Sequence, residues 1–116
     1  MNDTAEPIRS YAQFWPYYLR EHAQVTTRAI HIFGTCAAVA FVAAAIALRN
    51  PWIALGALVA GYGPAWIAHF FVEKNHPATF RYPLWSLISD FRMTATWLAG
   101  GLANELDKAG IRQRGR

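Results

Sequence analysis

Cysteine is almost missing from this chain. Cys36 stands alone, so an intramolecular disulfide is impossible and a thiolate metal cluster is disfavoured. Charge is scarce as well: Asp, Glu, Lys and Arg make up 16%, against roughly 25% in average soluble domains. Residues 32–48 and 50–72 carry none at all. The opening "MNDTAEPIRS" is polar and acidic rather than a basic start before an apolar core, so no secretory signal peptide is expected. A Gly-rich phosphate loop, G-x-S-x-G and H-E-x-x-H are also absent. Ser10, Ser86 and Ser89 lack a base at useful spacing, which argues against an acyl-transfer triad. Neither an internal repeat nor a low-complexity tract is visible.

What the chain does have is apolar and aromatic surface. It is 54% hydrophobic and 15% aromatic, a balance that suits a ring-rich core or a bilayer boundary. Its 116 residues make one domain. A net charge of +4 raises the question of nucleic acid. The basic residues, however, are scattered (Arg9, Arg20, Arg28) or gathered in the tail "KAGIRQRGR", with no stacking platform beside them, so no nucleic-acid partner is expected. Lys108, Arg112, Arg114 and Arg116 read instead as an end that faces anionic lipid.

The expected fold is all-α: an integral membrane helical hairpin with an amphipathic N-terminal helix and a C-terminal interfacial or third membrane helix. Residues 1–10 read as a flexible leader. Residues 11–25 read as a helix lying at the membrane surface, with Pro16 at its start or at a kink. Residues 29–48 form the first span, about 30 Å long at the α-helical rise. Arg49-Asn50-Pro51 closes it, and residues 51–72 return, with Gly56, Gly61, Gly63 and Pro64 allowing close packing or a kink. Residues 73–83 form a loop. Residues 84–107 form a C-terminal helix, placed at the interface because Asp90 and Arg92 are costly at mid-bilayer. Those two are not on one face, so no ion pair between them is expected. Residues 108–116 are the basic tail. Two spans put both termini on one side, and Arg49 alone in the opposite turn makes that side cytoplasmic. The expected setting is multi-pass, in a bacterial inner membrane.

Four histidines, His22, His31, His69 and His76, lie in or beside these apolar stretches. His31 opens the first span and His69 closes the second, so an antiparallel hairpin brings them to similar depth. If the second helix persists, His69 lies within about 40° of Glu73 and about 20° of His76, on one stripe. His22 and His31 are nine apart and meet only if the chain bends between them, with "AQVTTR" as the expected place. Neutral imidazole is a common ligand for iron, copper and zinc, and a carboxylate adds charge neutralisation. Three histidines with open positions suit an oxygen-activating Fe(II) centre. Glu73-x-x-His76 matches one element of a di-iron bundle, but such a site needs two of them plus two more glutamates, which disfavours it. The plainer alternative is that each imidazole is a hydrogen-bonded interior residue or an interface anchor. Glu73 beside Lys74 can equally be a solvated pair.

Two blocks, "YYLREHAQVTTRAIHIFGT" at 17–35 and "WIAHFFVEKNHPATFRYPLWSLISDFRM" at 66–93, resemble the two motifs of the 2-hydroxy-fatty-acid dioxygenase family of small membrane proteins. The resemblance implies an Fe(II) cofactor and O2-dependent shortening of a 2-hydroxy fatty acid by one carbon, released as CO2, without 2-oxoglutarate. It carries His22, His31 and His69 onto the family's histidines and Glu73 onto its glutamate, here the catalytic candidate. His76 is the fourth candidate ligand, standing where other members can carry a different residue. Arg81 or Lys74 would hold the substrate carboxylate, or contact headgroups. Tyr18 is a further substrate candidate, although Tyr17, Tyr18 and Tyr82 also fit an aromatic belt.

The partners expected on this reading are the 2-hydroxy fatty acid, O2 and membrane lipids, and a homo-oligomer is compatible with it. Two other classes stay open. One is a non-enzymatic membrane scaffold or transporter subunit, its histidines idle or pH-sensing. The other is a structural zinc-binding hairpin.

Overall fold

A computed structural model describes residues 7–111. The start of the leader, 1–6, and the end of the basic tail, 112–116, lie outside the described residues. Helix α1 spans Tyr11–Arg20, α2 Val25–Ala47, α3 Ala54–Ile67, α4 Pro83–Leu98 and α5 Leu102–Lys108. No strand occurs among the described residues, and the all-helical expectation holds.

The apolar hairpin is α2 against α3. A short 3-10 turn, Pro51–Ile53, starts the return, and a π-helical turn, Ala68–Glu73, ends it. Val25–Ala47 and Pro51–Glu73 are each 23 residues long and apolar enough to cross a membrane. Their outer faces present large apolar side chains, with Phe33 70%, Trp52 76%, Val59 73% and Phe71 74% exposed. Water-facing surfaces rarely carry so much contiguous apolar area. The two helices approach closely at Gly34, where an added Cβ would lie 2.7 Å from the Ala60 carbonyl oxygen. Gly34→Ala should therefore force the pair apart and lower thermal stability by about 1–3 kcal/mol. Gly63→Ala, whose Cβ meets open space, serves as the control and should leave the melting temperature unchanged or slightly raised.

Helix α1 buries one face against the rest of the bundle. Phe14, Trp15, Tyr18 and Leu19 recur at i, i+1, i+4 and i+5 and are all buried, in a core shared with Met93 of α4 and Leu102 and Leu106 of α5. Tyr18 belongs to this core, and Tyr17 and Tyr82 pack half-buried against it. Pro16 sits inside the helix rather than at its start, and the helix stops at Arg20, short of the expected residue 25. The C-terminal helix is also two helices, because Gly100 takes φ +83°, a left-handed turn that ends α4. Arg92 stacks on the Trp15 ring at 4.1 Å and lies 3.6 Å from Glu105, whose Oε1 accepts the Trp15 indole N–H at 2.9 Å. That cluster pins α1, α4 and α5 together beside the hairpin.

Candidate metal centre

Three of the four histidines converge. One ring nitrogen from each of His22, His31 and His69 lies within 4.8 Å of those of the other two, and all three residues are buried. They reach the spot from separate elements. His22 stands in the turn after α1, His31 on the second turn of α2, and His69 in the π-helical turn. The bend that lets His22 and His31 meet falls at 21–24, ahead of the threonines. Arg28 holds it by donating from Nη1 to the His22 and Ala23 carbonyls at 2.9 and 2.7 Å.

Each imidazole is tied to an oxygen by one nitrogen only. His22 Nδ1 donates to the Tyr18 carbonyl at 2.7 Å. His69 Nδ1 donates to Asn75 Oδ1 at 2.8 Å. The Asn75 amide is oriented in turn, because its Nδ2 donates to the Glu21 carbonyl at 3.1 Å. His31 Nε2 donates to Asp90 Oδ1 at 2.6 Å, and its Nδ1 is buried with no hydrogen-bond partner. The second nitrogens, His22 Nε2, His69 Nε2 and His31 Nδ1, therefore carry lone pairs in the neutral tautomers. His22 Nε2 and His69 Nε2 are 3.0 Å apart. Two lone pairs at that distance need an electrophile between them, either a proton or a metal ion. A cavity of about 20 Å³ lies against these rings, room for one water or ion. Ligating histidines characteristically donate their other N–H to a carboxylate, carbonyl or amide oxygen, and all three do so here. The donor set fits a divalent transition-metal ion.

Burial, then the neighbouring imidazoles of His31 and His69, push His22 well below the ordinary imidazole range. Burial and then the Asp90 carboxylate push the Tyr18 phenol well above its ordinary range. It remains a donor, giving its proton to the same Asp90 Oδ1 at 2.6 Å.

His76 is not brought in. It is exposed, with its ring 6.2 Å from that of Phe70. The helix does not persist to it, because Lys74 turns left-handed (φ 60°) directly after the π-helical turn. Glu73 lies outside the cavity too, and its carboxylate accepts the Gln24 N–H at 2.5 Å, clamping the start of α2 to the end of the hairpin. Lys74 and Arg81 are exposed and do not line the cavity. Arg81 lies 5.5 Å from the Tyr82 ring centre. Tyr18 does line it and is buried.

Besides Asn75, two residues that sequence reasoning left out belong here. Asp90 anchors His31 and Tyr18 through one oxygen. Its signal was a lone carboxylate in an apolar helix, which is a functional candidate by cost alone. Ser86, one turn before Asp90 on α4, lines the same cavity, and its buried Oγ has no partner. No sequence signal marked it.

Fold and site together define a class: an all-helical protein with two helices of membrane-spanning length and a buried three-histidine site able to take a metal ion. The chain belongs to the Mpo1-like family, described as 2-hydroxy-palmitic acid dioxygenase Mpo1-like, whose model matches residues 8–102. That stretch includes the three clustered histidines, Asn75, Ser86 and Asp90. No curated protein and no solved structure matches the chain significantly.

Proposed function

We propose that this protein is an Fe(II)-dependent dioxygenase of the membrane face, shortening 2-hydroxy fatty acids by one carbon. The observation that carries the reading is the cluster of three buried imidazoles, one nitrogen of each within 4.8 Å of the others and each ring oriented by a hydrogen bond to an oxygen. The family's description supplies the substrate class. In the overall reaction, R–CHOH–COOH and O2 give R–COOH, CO2 and water. The substrate furnishes all four electrons that O2 takes up, so no further reductant is consumed.

His22, His31 and His69 would hold the iron, which when bound supplies the O2 activation that organic side chains lack. The protein's own part is to position and to exclude. Asp90 fixes the His31 tautomer. Asn75 fixes His69, and the Tyr18 carbonyl fixes His22. The buried Ser86 hydroxyl is placed to donate to the polar head of the substrate. Glu73 takes a positioning role through Gln24. Lys74 and Arg81 receive the carboxylate or lipid headgroups during approach. The hairpin crosses the bilayer twice, with both chain ends on the side that holds the metal, and positive-inside logic makes that side cytoplasmic.

The test begins with protein purified anaerobically in mild detergent. Iron near one per chain, together with O2 uptake and an odd-chain acid from 2-hydroxypalmitate, is the expected result. Stoichiometric zinc without turnover would favour the structural-zinc class. A ferrous-reconstituted protein that neither consumes O2 nor shortens the acid would overturn the proposal.

A further inference from the structure

The structure holds a second, much larger space that the metal chemistry does not use. A groove of about 480 Å³ runs along the hairpin between α2, α3 and α4, within the usual range for small-molecule sites of roughly 300–1,000 Å³. Its lining is almost wholly apolar. Ala38, Val42 and Ile46 form one wall, Leu58 and Gly61 the floor, and Phe91 the opposite wall. The groove exists because small residues on α2 and α3 leave room where α4, at 16 residues, covers only part of a 23-residue partner. From Thr35 to Ile46 the α2 wall extends about 16 Å at the α-helical rise, enough for most of an extended acyl chain.

Its position identifies the occupant. Tyr62 and Asp90 line both this groove and the small cavity among the histidines, so the two spaces share a seam. The only carboxylate on the groove wall is the one that anchors His31. Everything beyond it, toward Ile46, is hydrocarbon-like. An amphiphile with its polar head at that seam, beside the histidine cluster, meets an apolar path for its tail. That path runs parallel to the two hairpin helices, as a lipid tail would lie.

We infer that the α2–α3–α4 groove holds the acyl tail of the substrate and sets chain-length preference at its Val42–Ile46 end. This rests on the dioxygenase reading for the identity of the head, while the groove itself is testable without turnover. The physical basis is additive burial: each methylene seated in the groove leaves water or lipid for a fixed wall, and each one that finds the wall blocked is lost.

The experiment uses metal-free full-length protein in nanodiscs and two photoreactive 2-hydroxypalmitates, one with the diazirine near the carboxyl end and one near the methyl end. Mass mapping should place the first label on residues 61–62 or 87–91 and the second on residues 42–46. Labels that ignore diazirine position and spread over outward residues such as Phe33 and Leu55 would mean bilayer contact only and would overturn the inference. Ala43→Phe, filling the far end, should lower the catalytic efficiency on 2-hydroxypalmitate about tenfold or more relative to 2-hydroxydecanoate, with iron content unchanged. An equal loss on both acids overturns chain-length selection. Ordered labelling without any turnover would sink the dioxygenase and leave the tail site standing. Turnover with unordered labelling would do the reverse.

Discussion

Replacing His69 by alanine should strip the purified protein of its metal, and His22→Ala and His31→Ala should do the same. Each removes one of the three clustered imidazoles, leaving two. Among the described residues no other histidine, cysteine or acidic group joins that cluster. Metal-to-protein ratios should fall from near one to background in each variant, with the helical circular dichroism retained. Activity with 2-hydroxypalmitate should fall at least a thousandfold, since catalytic residues acting as a unit fail together. His76→Ala provides the contrast. Its ring is exposed and outside the cavity, so metal content and turnover should stay within about twofold of the parent, the scale of a neutral surface change. A His76 variant that lost its iron would show that the loop after Glu73 folds back over the cluster.

The second large effect belongs to Asp90. One oxygen of its carboxylate accepts from both His31 Nε2 and the Tyr18 hydroxyl. Asp90→Ala frees the His31 ring to rotate and strands two buried donors. Loss of such an outer partner typically costs 10–100-fold in metal affinity, measurable by competition with a chelator. Each stranded donor adds about 1–3 kcal/mol of destabilisation, visible as a lower melting temperature even without metal. Asp90→Asn keeps an acceptor oxygen and should recover most of the stability while the affinity recovers less, because the negative charge opposite the imidazole is gone. Affinity unchanged in both variants would mean that His31 is held by packing alone.

Much of the architecture was open to inspection in the residue string. The uncharged runs at 32–48 and 50–72 announced two long apolar helices, since length and composition are enough for that. The convergence of His31 and His69 followed from antiparallel connectivity. The bend between His22 and His31 was required by their spacing, although it falls at 21–24 rather than at the threonines. Other features escaped for identifiable reasons. A stripe carrying His69, Glu73 and His76 assumed an unbroken 3.6-residue period, and the π-helical turn with left-handed Lys74 ends that period before His76. Helix α1 read as a surface helix because its ring-rich face fits lipid as well as it fits a core. That this face packs in the core follows only from the presence of Met93, Leu102 and Leu106 opposite it. Asp90 was noticed for its cost, but its imidazole partner lies 59 residues away, beyond any local pattern.

By itself, then, the residue order determined the helices, their apolar length and the supply of imidazoles near one end of a hairpin. These depend on local propensity and hydrophobic period, which act within a few turns. The tertiary structure alone decided which nitrogen of each ring is tied and which is free. A tautomer is set by the partner of the opposite nitrogen. For His31 and His69, those partners come from α4 and from the loop after the π-helical turn, segments placed only when the bundle closes.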